Sequence, residues 1–118
     1  MLFKPVGLWY SVGNEWEEWC RSEMPGWIGK YNYELDIKNI NLLRLDSVES
    51  ILEFNKLYSL NTKYNYEVDW GKLYSLYDGI EITPYQYNLR YELGWYYSWD
   101  VASGCIWNAK KIVLTSIK

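Results

Sequence analysis

The chain has 118 residues, the size of one ordinary domain, so we expect a single unit that spans residues 1–118. Apolar residues make up 49% of the chain and charged residues 23%, a composition that excludes intrinsic disorder, collagen and a simple coiled coil. The absence of histidine removes Ser-His-Asp and Cys-His catalysis and the commonest metal ligand, and the net charge of −3 disfavours wholesale binding to a nucleic-acid backbone.

The first half of the chain alternates predicted strands and helices. A strand is expected at 6–11, after Pro5, and Asn14 is a suitable N-cap for a helix over 15–23 that Met24-Pro25-Gly26 ends. The clearest strand is 31–37, where odd positions are apolar and even positions polar, which predicts a buried Leu35 and an exposed Glu34. A further extended run is predicted at 40–45.

Two helices are predicted next. Asp46 is the expected N-cap of the first, with Glu49 completing a capping box. Its predicted inner stripe consists of Val48, Ile51, Leu52, Asn55 and Tyr58. Asp69 is the expected cap of the second, and its spacing predicts a core stripe of Trp70, Leu73, Tyr74 and Tyr77.

The remaining residues predict three short strands and one irregular segment. The strands are expected at 80–82, 105–107 and 112–114. Residues 85–99 carry seven Tyr and Trp side chains without a steady period, which we interpret as a functional loop. The whole order favours an α+β fold with a twisted, mostly antiparallel sheet and about three helices.

Cofactor sites and membrane segments are not expected from the sequence. Cys20 and Cys105 form neither a CxxC pair nor a zinc-ligand pattern, and we expect both to be buried thiols in a reducing compartment. Carboxylates are scattered singly, and neither a P-loop nor a GxGxxG motif occurs. No window reaches the ~20 apolar residues of a membrane span. The prediction is a cytoplasmic protein with no metal, no bound cofactor and no membrane partner.

Three short motifs carry a resemblance to a known superfamily. They are GLWYS at 7–11 before an aromatic helix, YDGI at 77–80, and SGCIWN at 103–108 before the Lys-Ile at 111–112. Their order resembles that of compact ADP-ribosyltransferase-like domains. The strings KPVGLWYS (4–11) and WDVASGCIW (99–107) are also similar to small proteins found largely in phage and bacterial genomes. The resemblance implies an ADP-ribosyltransferase-like fold and a host-cell cytosolic location.

The resemblance assigns roles to individual residues. Ser11 falls on the superfamily's motif Ser or Thr, and Trp9 and Tyr10 lie on the strand that lines the nicotinamide pocket. Ser103 stands where the superfamily has its catalytic Glu, and a serine supplies no negative charge to an oxocarbenium-like transition state. The first motif, an Arg- or His-bearing strand before Gly7, is missing because residues 1–6 contain neither residue type.

Two functional classes follow from these residues, and a purely structural subunit is a third. The favoured class is a non-catalytic binding protein, an anti-defence inhibitor of a host macromolecule or a sequestering agent for a nucleotide. Its predicted ligand- or partner-binding set is Trp9, Tyr10, Ser11, Arg90, Trp95, Tyr97, Trp99 and Ser103. The alternative is an ADP-ribosyltransferase that uses NAD to modify a host protein or nucleic acid. There Asp100 or Glu81 would replace the missing carboxylate, and Arg90 would contact the pyrophosphate.

Overall fold

The computed structural model describes residues 4–13, 15–23, 32–60, 67–99 and 101–117, and has mixed α+β content. Its elements in chain order are β1 (Leu8–Ser11), α1 (Glu15–Glu23), β2 (Asn32–Asp36), β3 (Leu42–Leu45), α2 (Val48–Tyr58), α3 (Trp70–Tyr74), β4 (Gly79–Ile82), α4 (Gly94–Tyr97), β5 (Ser103–Ile106) and β6 (Val113–Ile117). The α+β class and the predicted order are confirmed, and α4 is an additional short helix. None of the helices among the described residues is long and apolar enough to cross a membrane.

The strands form two separate sheets. The main sheet has the order β1-β5-β4-β3, in which β1 and β4 are antiparallel to β5, and β3 is parallel to β4. Among the residues that the structure describes, the other two strands, β2 and β6, form a sheet of their own and run antiparallel. The prediction of mostly antiparallel pairing is confirmed, whereas that of one sheet is wrong.

Alternation in β2 continues past the end of the strand. Leu35 and Ile37 are half-buried and Asp36 is exposed, as the period of two predicts. Tyr31, which was predicted to share their face, lies outside the described residues, as do Asn14 and the predicted helix stop at 24–26.

The N-terminal cap of α2 lies one residue later than predicted. Ser47, not Asp46, accepts a hydrogen bond on its hydroxyl from the Ser50 backbone N–H at 3.0 Å. The Ser50 hydroxyl accepts one from the Ser47 N–H, also at 3.0 Å. Two serines therefore form the reciprocal capping box that Asp46 and Glu49 were expected to form.

The predicted inner stripe of α2 is correct only in part. Ile51 is fully buried, but Val48 and Leu52 are exposed, and Phe54 faces the core instead. The shift has a physical cause. The ring of Phe54 packs against Trp70 and Trp95 at centroid distances of 5.9 and 5.0 Å. These aromatic contacts turn the buried face of the helix toward position 54.

The short helix α3 begins as predicted and ends early. Asp69 caps it by accepting a hydrogen bond from the Lys72 N–H at 3.2 Å. Trp70 and Leu73 are buried, whereas Tyr74, at 40% exposure, is not part of the core stripe. The helix has only five residues and ends before Tyr77, but Tyr77 is half-buried and packs against the core as predicted.

The aromatic segment at 85–99 belongs largely to the core. It contains a 3-10 turn at Tyr87–Leu89 and the helix α4, two elements too short to show a period in the sequence. The segment's buried aromatic side chains are Tyr85, Trp95, Tyr96 and Trp99. The interpretation of the whole segment as a functional loop is therefore wrong. The exposed tyrosines of the segment, Arg90 beside them and the surface around Trp99 remain available for function.

Candidate functional site

A cavity of about 310 Å³ opens where the edge strand β1 meets the turn that leads into β5. Its lining residues are Lys4, Trp9, Tyr10, Ser11, Ser98, Trp99, Val101 and Ser103. Five of the predicted binding residues are brought together here: Trp9, Tyr10, Ser11, Trp99 and Ser103. Sequence reasoning missed Lys4, Ser98 and Val101 as site residues, although Lys4 and Val101 lie within the strings 4–11 and 99–107 and Ser98 directly precedes the second string.

Strand pairing explains why these residues meet. In the antiparallel register of β1 and β5, Ser11 lies opposite Ser103 and Trp9 lies opposite Cys105. Side chains two residues apart in a strand share a face, so Trp9 and Ser11 point to the same side of the sheet. The GLWYS and SGCIW strands are therefore direct neighbours in the sheet, and the cavity lies at the end where Ser11 meets Ser103.

Two tryptophans form the apolar wall of the cavity. The rings of Trp9 and Trp99 meet edge to face, with centroids 4.8 Å apart and planes at 60°. Trp99 is buried, with 1% of its surface exposed, whereas Trp9 is 38% exposed and presents part of its ring to solvent. Lys4 holds its Nζ 5.3 Å from the Trp9 centroid, within cation–π range. The wall therefore suits a flat, weakly polar ring.

Serine hydroxyls supply the polar part of the lining. The Ser98 hydroxyl donates to the Trp95 carbonyl at 2.7 Å, and the Ser103 hydroxyl donates to the Val101 carbonyl at 3.0 Å. Their protons are thus committed, and their lone pairs remain to accept. The Ser11 hydroxyl has no hydrogen-bond partner among the described residues. The cavity consequently offers both donors and acceptors to a ligand.

Tyr10 turns its hydroxyl away from the cavity wall and across the sheet. Its O–H donates to Glu81 Oε1 at 2.9 Å, and Arg44 Nε lies 3.4 Å from Glu81 Oε2. The ring crosses β5 directly over Gly104, where a Cβ would overlap it. Burial, together with the neighbouring Glu81 carboxylate, raises the pKa of Tyr10 above its ordinary value, so the tyrosine stays protonated as the donor.

The carboxylate of Glu81 is consequently not a cavity group. Glu81 alternates along β4 with Ile80 and Ile82, which are fully buried on the core face. It lies on the opposite face, 7% exposed, with Tyr10 and Arg44 as partners. The other carboxylate suggested for catalysis, Asp100, lies outside the described residues.

Three further predicted residues lie elsewhere. Trp95 is fully buried in the core and donates a hydrogen bond through Nε1 to Asn55 Oδ1 at 3.0 Å. The prediction that Trp95 contacts a ligand or partner directly is therefore wrong. Arg90 is not a lining residue of the cavity; its guanidinium lies 5.5 and 5.2 Å from the rings of Tyr91 and Tyr97. Tyr97 is half exposed on that separate surface.

No cluster of three or more Cys, Asp or Glu side chains that could hold a metal ion occurs among the described residues. Cys20 and Cys105 are buried free thiols, as predicted, and burial raises the pKa of Cys105 to about 12. Burial raises the pKa of Cys20 as well, and so favours the protonated form of both thiols, which is the weaker nucleophile.

Comparison of the chain with protein-family models, with curated proteins and with solved structures returns no match. The resemblance to ADP-ribosyltransferase-like domains therefore rests on the three sequence motifs alone, and stays a hypothesis.

Proposed function

We propose that this protein is a non-catalytic binding protein of phage type, which sequesters a nucleotide-derived small molecule in the cavity of an ADP-ribosyltransferase-like fold. The observation that carries the proposal is the cavity wall, in which Trp9 presents ring surface beside the buried Trp99. Flat aromatic walls with a few polar groups are typical of sites for planar heterocycles. The cavity volume, about 310 Å³, is at the lower end of the range for small-molecule sites.

The lining favours binding over group transfer. Lys4 is the one charged side chain among the described lining residues; Asp100, which follows the lining residue Trp99 in the chain, lies outside the described residues. Cleavage of a glycosidic bond builds positive charge on the sugar, which a nearby carboxylate stabilises and a lysine opposes. The hydroxyl of Ser103 replaces that carboxylate by resemblance, and Glu81 faces the other side of the sheet, bound to Tyr10.

A specific observation supports a second candidate, inhibition of a host protein through an exposed aromatic surface. Tyr87, Tyr91 and Tyr97 are 59%, 81% and 51% exposed, and Arg90 lies against two of these rings. Tyrosine and arginine are enriched among the residues that dominate binding energy at protein interfaces. On this hypothesis Tyr97→Ala weakens partner binding, while changes in the cavity do not.

The proposal is tested by blocking the cavity. Ser11 is exposed on an edge strand, where an aromatic side chain is tolerated, so Ser11→Trp should fill the opening without entering the core. The matched control is Leu8→Trp, which adds tryptophan to the same strand at a position outside the cavity lining. Native mass spectrometry would measure retained small molecules, and calorimetry would measure binding of added nucleosides and nucleotides.

The expected result is retention or binding by the wild type and by Leu8→Trp, and loss of both in Ser11→Trp. Incubation with NAD and a host lysate distinguishes the enzyme hypothesis, because transfer would add an ADP-ribosyl mass to a substrate. Such transfer, abolished by Asp100→Asn, would show the non-catalytic proposal to be wrong. A co-purifying protein whose binding depends on Tyr97 and not on the cavity would favour the second candidate.

A further inference from the structure

We infer that the cavity takes a mononucleotide, with its base against Trp9 and its phosphate at Lys4, and does not take a dinucleotide. The inference rests on the proposed function and narrows its ligand class. Three features of the lining carry it: the sign of its charge, the division of its hydroxyls into donors and acceptors, and its size.

The positive charge of Lys4, in the described part of the cavity lining, attracts an anionic ligand. Lys4 is the one charged residue among the described lining residues, and it has no carboxylate partner among the described residues; its partner is the Trp9 ring. An ammonium group that is not neutralised by the protein is available to a ligand, and lysine binds phosphate as a point charge. A neutral nucleoside has no negatively charged group that could pair with the Lys4 ammonium group.

The serine hydroxyls of the cavity lining differ in whether they can donate or accept a hydrogen bond to a ligand. Ser98 and Ser103 have committed their protons to backbone carbonyls, so toward a ligand they accept hydrogen bonds, for example from ribose hydroxyls or a base amino group. Ser11 has an uncommitted hydroxyl and can donate, as Lys4 does. The lining therefore matches a ligand with an aromatic ring, hydrogen-bond donors and an anionic acceptor, which is the pattern of a nucleoside monophosphate.

Size and cation count disfavour a dinucleotide. A dinucleotide brings a second base, a second ribose and a pyrophosphate. The cavity volume of about 310 Å³ is at the lower end of the range for small-molecule sites, which favours a ligand with one base over a ligand with two. Arg90, the residue predicted to hold a pyrophosphate, is not among the lining residues and packs against Tyr91 and Tyr97. With one lysine and no arginine in the described lining, the bidentate clamp typical of a pyrophosphate contact is missing.

The test compares the four ribonucleoside 5′-monophosphates, the four matching nucleosides and NAD by calorimetry. Lys4→Gln removes the charge at the cavity. The matched control is Lys72→Gln, because Lys72 also holds its Nζ over an aromatic ring, that of Tyr58 at 6.0 Å, and lies outside the cavity lining. Both variants lose one positive charge and one cation–π contact, so only position differs.

We expect at least one monophosphate to bind about tenfold or more tightly than its nucleoside, the lower end of what a hydrogen bond to a charged group contributes. Lys4→Gln should reduce the ratio of monophosphate to nucleoside affinity to about twofold or less, whereas Lys72→Gln should leave that ratio at the wild-type value. Equal binding of nucleosides and monophosphates overturns the inference and leaves the proposed function in place. Tighter binding of NAD than of every monophosphate overturns it as well. If no compound binds, the proposed function fails, and the inference fails with it.

Discussion

Asp78 joins three parts of the main sheet, and its removal should destabilise the protein in a pH-dependent way. Its Oδ2 accepts hydrogen bonds from the Asn41 backbone N–H at 2.8 Å and from Lys111 Nζ at 2.9 Å, and its Oδ1 accepts one from Asn108 Nδ2 at 2.9 Å. Its own carbonyl accepts from the Trp107 N–H at 2.9 Å. The side chain is 12% exposed. One carboxylate therefore connects the start of β3, the start of β4 and the chain after β5.

The hydrogen-bond donors around the Asp78 carboxylate determine how much stability this side chain contributes. The Asn41 N–H first, and then the Lys111 ammonium and the Asn108 amide, lower the pKa of Asp78 from 3.8 to about 2. A carboxyl with that difference between unfolded and folded states contributes about 2 kcal/mol to the free energy of unfolding at neutral pH. Because the folded pKa is the lower one, this contribution is present above about pH 4 and is lost as the pH falls toward 2.

Asp78→Asn should therefore reduce the free energy of unfolding at pH 7 by about 2 to 3 kcal/mol. The new Nδ2 group is a hydrogen-bond donor, so it cannot accept the hydrogen bonds that the replaced carboxylate oxygen accepts. Between pH 5 and about 2.5 the wild type should lose about 2 kcal/mol more than the variant does. Urea unfolding followed by tryptophan fluorescence measures both quantities. The matched control is Asp36→Asn, which changes an exposed aspartate whose one side-chain hydrogen bond to the described residues comes from the nearby Lys38 N–H.

Two results would refute the reasoning. A loss below about 0.5 kcal/mol at pH 7, no larger than that of an ordinary surface change, would mean that the hydrogen bonds contribute no net stability. Parallel pH profiles for the wild type and Asp78→Asn would mean that another carboxyl controls acid unfolding.

The remaining predictions concern the core and the site. Leu73→Ala should cost about 2 to 5 kcal/mol in urea unfolding, because Leu73 is fully buried, and a loss below about 0.5 kcal/mol would contradict that burial. Trp95→Ala should cost about 3 to 5 kcal/mol for the same reason, so any loss of ligand binding in that variant reports unfolding. Gly104→Ala should destabilise the wild type through overlap with the Tyr10 ring and do so much less in a Tyr10→Ala background, measured as a double-mutant cycle. Asp100→Asn should leave nucleotide affinity within about twofold, whereas on the enzyme hypothesis it lowers turnover about a hundredfold or more, as single-turnover assays with NAD would show.

Local patterns predicted the elements whose structure depends on neighbours in the chain. The helix over 15–23 has the observed bounds of α1, and the alternation of 31–37 contains β2. Asp69 caps α3 as predicted because its hydrogen bond reaches only three residues along the chain. Capping and alternation are decided over two to four residues, which is the range that a single sequence displays.

Predictions failed where a distant residue decides the outcome. The orientation of α2 depends on Phe54 meeting Trp70 and Trp95, which approach from other parts of the chain. The core role of Trp95 depends on Asn55, forty positions away, which accepts its indole N–H. Nothing near position 95 in the sequence signals that partner, so an aromatic run without a period was interpreted as a loop.

For the site, the sequence motifs contain Trp9, Tyr10, Ser11 and Ser103 of the cavity lining, but they do not show which side of the sheet the Glu81 carboxylate occupies. Gly104 leaves room for the Tyr10 ring to cross β5, and the Tyr10 hydroxyl then holds the Glu81 carboxylate on the far face. A larger residue at 104 would block that path and leave Glu81 without this donor. The glycine that looks like an ordinary strand residue thus keeps a buried negative charge paired and away from Lys4. Glu81 is thus paired with Tyr10 and Arg44, and Lys4 is the one charged side chain among the described lining residues, a charge that suits the phosphate of the proposed ligand and opposes an oxocarbenium ion.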